Sequence, residues 1–158
     1  MTRECNRIAE ALASAINGEA WYGDSVREIL DKITAKQAQA RPVANAHSIW
    51  ELVVHIEAWV ILAEGALRGT PIPAWSTMPK EMDWPLVGVT NDQTWKRATE
   101  SFFSSHLRLV EGIKNLGDER LETTVPGRPY DFYHLFHGII QHAVYHVGQI
   151  ALLRKALG

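Results

Sequence analysis

The chain has 158 residues, of which 46% are hydrophobic and 22% charged, with a formal net charge of −2. That length suits one domain over residues 1–158 with a substantial core. The charge leaves no basic footprint for nucleic acid or an anionic membrane. No apolar run approaches the ~18 residues needed to cross a bilayer, and the charged start MTRECNRIAE has no signal-like apolar stretch. A lone cysteine, Cys5, allows no internal disulfide, so the expected setting is a reducing cytoplasm. Cys5 itself reads as a small buried hydrophobe on the first helix.

Apolar residues at helical spacing mark a first long helix from about Arg3 to Ile16, through Ile8, Leu12, Ala15 and Ile16, with Gly18 just past its end. The connector that follows carries two capping signals, Ser25 with Glu28 and Thr34 with Gln37. Ser48 with Glu51 opens a second long helix, whose stripe is Leu52, His55, Ile56, Trp59, Ala63 and Ala66. Gly69 and Pro71 end it. From Thr70 to Val89 the chain carries Pro71, Pro73, Pro79 and Pro85 and shows no helical period, which predicts a long crossover loop. Thr90 and Gln93 have the spacing to cap a third helix on the stripe Trp95, Ala98, Phe102, Leu109, Ile113 and Leu116, closed by Gly117. Asp131 is a suitable N-cap for a last helix over Phe132 to Leu157. No β-alternation persists. The expected fold is all-α, a four-helix bundle whose second and third long helices are joined by the crossover loop.

The chemistry concentrates in histidines. His142 and His146 are four apart on the last helix, one turn from each other on one face. Apolar Ala143, Val147, Ile150 and Ala151 flank them, so the pair should face the interior. His55 lies on the inward stripe of the second helix. Buried imidazoles need partners, and two readings are open: core histidines bonded to backbone or water, or three nitrogen ligands to one metal with a fourth position free, as in catalytic sites. Ala143 stands where the His-Glu-x-x-His motif has its general-base glutamate, which disfavours a metalloprotease.

The remaining polar candidates are weaker. Glu51, one turn before His55, and Gln149, close after His146, are candidates to orient those imidazoles. His134 points ~80° away from His142 around the helix and is a candidate proton shuttle. His47, Trp75 and Trp84 are candidates for the pocket rim. His106 reads as a surface residue, His137 as structural or exposed, and Arg128 and Lys80 as ordinary loop charges, with anion binding an alternative that nothing in the sequence supports.

The segments HSIWELVVHIEAW (47–59) and HGIIQHAVYHVGQIALLRKAL (137–157), with EAWYGDSVREIL and DWP, resemble the DinB/YfiT-like superfamily of metal-binding four-helix bundles. The resemblance implies up-down-down-up topology, a divalent metal held by His55, His142 and His146, and a homodimer. Zn²⁺ and Ni²⁺ are the leading ions, with Fe²⁺ and Co²⁺ also suited to imidazole. Some members resemble transferases that use a low-molecular-weight thiol such as bacillithiol or mycothiol. The leading expectation is therefore a metal-dependent thiol S-transferase acting on a small electrophile. A hydrolase using metal-bound hydroxide and a non-catalytic metal-binding or stress-response protein are the alternatives.

Overall fold

The computed structural model describes residues 3–158. Its seven α-helices are α1 (Glu4–Asn17), α2 (Val26–Leu30), α3 (Ala35–Gln39), α4 (Ile49–Leu67), α5 (Lys80–Asp83), α6 (Asp92–Lys114) and α7 (Phe132–Leu157). Among the described residues there are no strands, only two isolated bridges. The four long helices α1, α4, α6 and α7 make the body. Both α4 and α1 pack against α6 and α7.

Local chemistry sets most helix starts. Ser25, Thr34 and Ser48 each accept from the backbone N–H three residues on, while Glu28, Gln37 and Glu51 reach back to the cap, so three of the four expected capping pairs form. Asp131 caps α7 through the His134 N–H. The start of α6 differs from expectation. Asn91, not Thr90, is the cap, in a box with Thr94, and the Thr90 hydroxyl donates instead to Gln39. Asparagine is among the strongest N-caps, and its carboxamide takes the Thr94 N–H. The long link between α4 and α6 is present but is not wholly loop, since it contains the single turn α5.

Helix α1 has no local cap. The carboxylate of Asp118, more than a hundred residues away, accepts from the backbone N–H groups of Glu4 and Cys5 at 2.9 Å each. A carboxylate there meets both the orphan donors and the positive end of the helix dipole. Cys5 beside it is fully buried, as expected. Burial and the Asp118 carboxylate push its thiol up to about 11.

The core joins the apolar stripes of all four long helices. Ile8, Leu12, Ile56, Phe102, Leu109, Phe136 and Ile150 are essentially inaccessible, each worth about 1.5–3 kcal/mol of burial. Helix α4 is buried on almost every side, so its polar residues need partners. Glu64 forms a two-point pair with Arg108 of α6, and Glu57 accepts from the Ser101 hydroxyl at 2.6 Å. Trp95 donates its indole N–H to the Ile33 carbonyl, tying α6 to the α2–α3 connector.

The crossover segment is anchored at its start. Ile72, fully buried, donates its backbone N–H to the Pro126 carbonyl at 2.9 Å. Gly127 follows at φ +78°, and a Cβ there would lie 2.4 Å from the Ile72 carbonyl oxygen. Both the backbone conformation and the close approach require glycine. Gly127→Ala should therefore lower stability by ~1–3 kcal/mol; urea unfolding of the two proteins checks this, and equal midpoints would show that the tie carries no load.

Candidate metal centre

Three elements deliver the site. Helix α4 presents His55, α7 presents His142 and His146 one turn apart, and the crossover segment brings Asp83 and Trp84 over them. One ring nitrogen from each histidine lies within 4.8 Å of the others, and among the described residues this is the one such group of His, Cys, Asp or Glu. The His55 Nε2 stands 2.9 Å from His142 Nε2 and 3.2 Å from His146 Nε2. His55 and His146 are buried and His142 is half-buried.

The outer nitrogens decide what those contacts mean. His55 Nδ1 lies 2.6 Å from the backbone carbonyl of Asp83, which can only accept, so Nδ1 carries the hydrogen. His146 Nδ1 lies 2.7 Å from the amide oxygen of Gln149, and with the carboxamide turned this way Nδ1 is the donor. In the neutral rings both Nε2 atoms are therefore bare lone pairs. Their contact at 3.2 Å is two acceptors facing each other, which is not a hydrogen bond.

The rings are held neutral. Burial lowers the pKa of His55 and of His146. Burial, followed by the neighbouring His146, His55 and His106, takes His142 down to about 3. Neutral imidazole is the form that ligates metal. Two nitrogens bound to one tetrahedral ion at about 2.05 Å would stand about 3.3 Å apart. The donor set, its protonation and its spacing thus fit a divalent ion.

Aromatic rings fix the surroundings. Trp84 is sandwiched between His55 (ring centroids 3.8 Å, planes 4° apart) and His47 (3.7 Å, 12°). Trp59 donates its indole N–H to the Asp83 carboxylate at 2.7 Å, and that carboxylate is 3.4 Å from His55 Nδ1. Asp83 therefore holds His55 through its carbonyl and Trp59 through its side chain.

One cavity reaches the triad and another reaches only its outer neighbours. The first, of about 270 Å³, is walled by Trp59, Trp75, Tyr130, His134, Ile139 and His142. The second, of about 300 Å³, is lined by His47, Leu52, Gln149 and Leu153 among others. A larger surface cavity of about 700 Å³, between Tyr22, Ile29, Lys32 and the end of α7, shares no residue with the triad or its supports.

The expected site residues fall as follows. His55, His142 and His146 converge, and Gln149 is on His146. Trp84 lies on the triad itself rather than at a rim, His47 stacks outside it, and Trp75 and His134 line the first cavity. Glu51 does not reach His55. Its carboxylate is taken up by the Ser48 N–H and by Arg41, with His47 3.6 Å away. The group on His55 is Asp83, which the sequence reading passed over because a backbone carbonyl has no residue signature.

His106 and Arg128 overturn expectation. His106 is 1% exposed, not on the surface. It donates Nδ1–H to the Phe102 carbonyl at 2.7 Å, and its buried Nε2 has no partner. Arg128 is 5% exposed, not an ordinary loop charge. His137 packs its ring on Tyr133 and also has a buried Nε2 without a partner.

A family model for the DinB superfamily matches residues 20–150. The chain belongs to the DinB superfamily. That span of this DinB chain holds all three histidines, both of their outer partners and the whole crossover segment. No curated protein and no solved structure matches it. No helix of the described residues is long and apolar enough to cross a membrane.

Burial holds His106 down at about 4, below the ~6.5 of an exposed histidine. The unfolded chain then binds the extra proton first, so His106 costs no stability above pH ~6.5, and stability falls progressively from there toward pH 4. In the metal-free protein, His106→Leu should reduce the loss of unfolding free energy between pH 7 and 4.5 by on the order of 2 kcal/mol. Urea unfolding at the two pH values tests this, and an unchanged difference would mean that the ring is not buried as a neutral group.

Proposed function

We propose that this DinB protein holds one divalent metal ion on His55, His142 and His146 and acts as a metal-dependent S-transferase. It would join a low-molecular-weight thiol to a small electrophile. The observation that carries the metal reading is the pair of bare Nε2 atoms facing each other at 3.2 Å, an arrangement that calls for a shared cation. Zn²⁺ and Ni²⁺ lead for three imidazoles. A bound ion would supply Lewis acidity, lowering the pKa of a thiol at its open position toward neutrality.

The chain's own residues do the rest. Asp83 and Gln149 fix the tautomer and direction of His55 and His146, as outer partners do in metal sites. Trp84 clamps His55 and shields it from water. The cavity that His142 lines has room for a small reactant, and the second cavity, lined by His47 and Gln149, is a candidate place for the other. In the transfer, the thiol gives its S–H proton to solvent, the sulfur forms a bond to the electrophilic carbon, and the leaving group departs with the electron pair of the bond that breaks. Hydrolysis is supported less, because the nearest carboxylate, Asp83, is engaged on the outer side of His55 and by Trp59. The room beside the triad argues against a purely structural ion.

The crossover link lets α4 and α6 run parallel, giving up-down-down-up order. An apolar face with a cavity lined by Val54, Ala58, Ile61, Leu62 and Met82 supports a homodimer. Sedimentation should give twice the chain mass, and the monomer mass would remove the dimer.

Metal analysis of tag-free protein tests the centre. One divalent ion per chain is expected, lost in His142→Ala, with affinity lowered about 10- to 100-fold in Gln149→Leu. Metal-loaded protein should then accelerate conjugation of bacillithiol, mycothiol, glutathione or coenzyme A to monochlorobimane. Metal binding with no rate above background would leave the site and sink the transferase.

A further inference from the structure

Helix α7 carries a glycine that its backbone does not require. Gly138 lies inside the helix without a positive φ, and a Cβ added to it would meet no atom within 4 Å. Glycine in a helix interior is less favourable than alanine, and neither conformation nor crowding accounts for it here. It precedes His142 by one turn, on the same face, and both line the 270 Å³ cavity. The missing side chain is therefore space added to the cavity beside a triad histidine. The other walls are mostly rings. Trp59 and Trp75 pack with centroids 5.1 Å apart, and Tyr130 and His134 form a second pair at 4.9 Å. Trp75 is 66% exposed, so a large indole stands open at the wall, where a ligand would cover it.

We propose that this cavity binds a flat, uncharged aromatic molecule of about two fused rings against Trp59 and Trp75, and that Gly138 sets how large that molecule can be. Aromatic walls favour an aromatic guest over an aliphatic one of equal size. Among the described residues no Asp, Glu, Lys or Arg lines the cavity, so a charged guest finds no partner there. A cation is disfavoured further, because the Arg128 guanidinium, which lies outside the cavity, already sits 4.7 Å from the Trp75 ring centre. An apolar cavity of roughly 150 Å³ holds one benzene, so about 270 Å³ suits two fused rings. This fit needs only the walls. That the guest carries the electrophilic carbon, beside His142, rests on the transferase reading.

Three probes test the guest: 2-naphthol, its saturated counterpart decahydro-2-naphthol, and the cation N-methylquinolinium. Calorimetric titration of the full chain, after chelation and again metal-loaded, should show 2-naphthol binding about 3- to 10-fold more tightly than either of the others. Gly138→Leu should weaken 2-naphthol binding about tenfold or more by filling the cavity. Gly138→Ala, which adds only a Cβ in open space, should weaken it less while raising the melting temperature by about 2–4 °C. A glycine with a merely structural role would show the change in melting temperature without the loss of binding. The assignment is overturned if 2-naphthol does not bind, if it binds no more tightly than one of the other probes, or if its binding is undiminished in every Gly138 variant that folds. Binding by chelated protein with no conjugation of monochlorobimane by metal-loaded protein would keep the ring site and remove the transferase. Conjugation by a protein that ignores 2-naphthol would do the reverse.

Discussion

Two imidazole nitrogens that can only accept are pressed within van der Waals distance of each other, and much of the surrounding structure serves to keep them there. Left alone, His55 and His146 would turn one ring and form an ordinary hydrogen bond. The Asp83 carbonyl and the Gln149 amide prevent this by occupying the outer nitrogens. Burial prevents the other escape, protonation. The arrangement is a preorganised cation site whose energetic cost is met by the bundle's packing, consistent with the general practice of building metal sites in bundle cores.

The crossover segment is what makes the site specific. Helices α4 and α7 alone would give three histidines with only His146 held at its outer nitrogen, by Gln149 of the same helix, and His55 without an outer partner. The segment adds Asp83 beneath His55 and Trp84 flat against it, and it is itself pinned by the Ile72–Pro126 backbone bond and the close approach at Gly127. A strap that is irregular in structure is thus fixed at its base by main-chain geometry and at its tip by stacking. The loop that carries Pro126, Gly127 and Arg128 holds the same strap, so the metal-facing and cavity-facing sides share one support.

Much of this was legible in the sequence because it is local. Capping boxes are three-residue signals, and the two long His-bearing helices carry dense apolar stripes, so α4 and α7 could be placed to within a residue or two. The start of α6 slipped by one because Thr90–Gln93 and Asn91–Thr94 overlap, and only side-chain reach decides between them. His106 was readable in principle, since 102, 106, 109 and 113 share one face, but a lone histidine on a polar-rich helix reads as surface. The convergence of His55 with the α7 pair followed from facing stripes. Asp83 and Arg128 did not follow from any pattern. One acts through its carbonyl across 28 residues, and the other is buried by tryptophans that its own neighbourhood does not name.

The lone thiol has a practical meaning. Cys5 is sealed in the core, its pKa raised to about 11, beside the carboxylate that caps α1. At neutral pH it is almost wholly protonated and out of reach of alkylating dyes and oxidants. The protein therefore brings no nucleophilic sulfur of its own to any reaction at the triad. Every thiol equivalent consumed in an assay belongs to the added reagent, and the native fold can be handled in thiol-free buffer without forming disulfide-linked pairs.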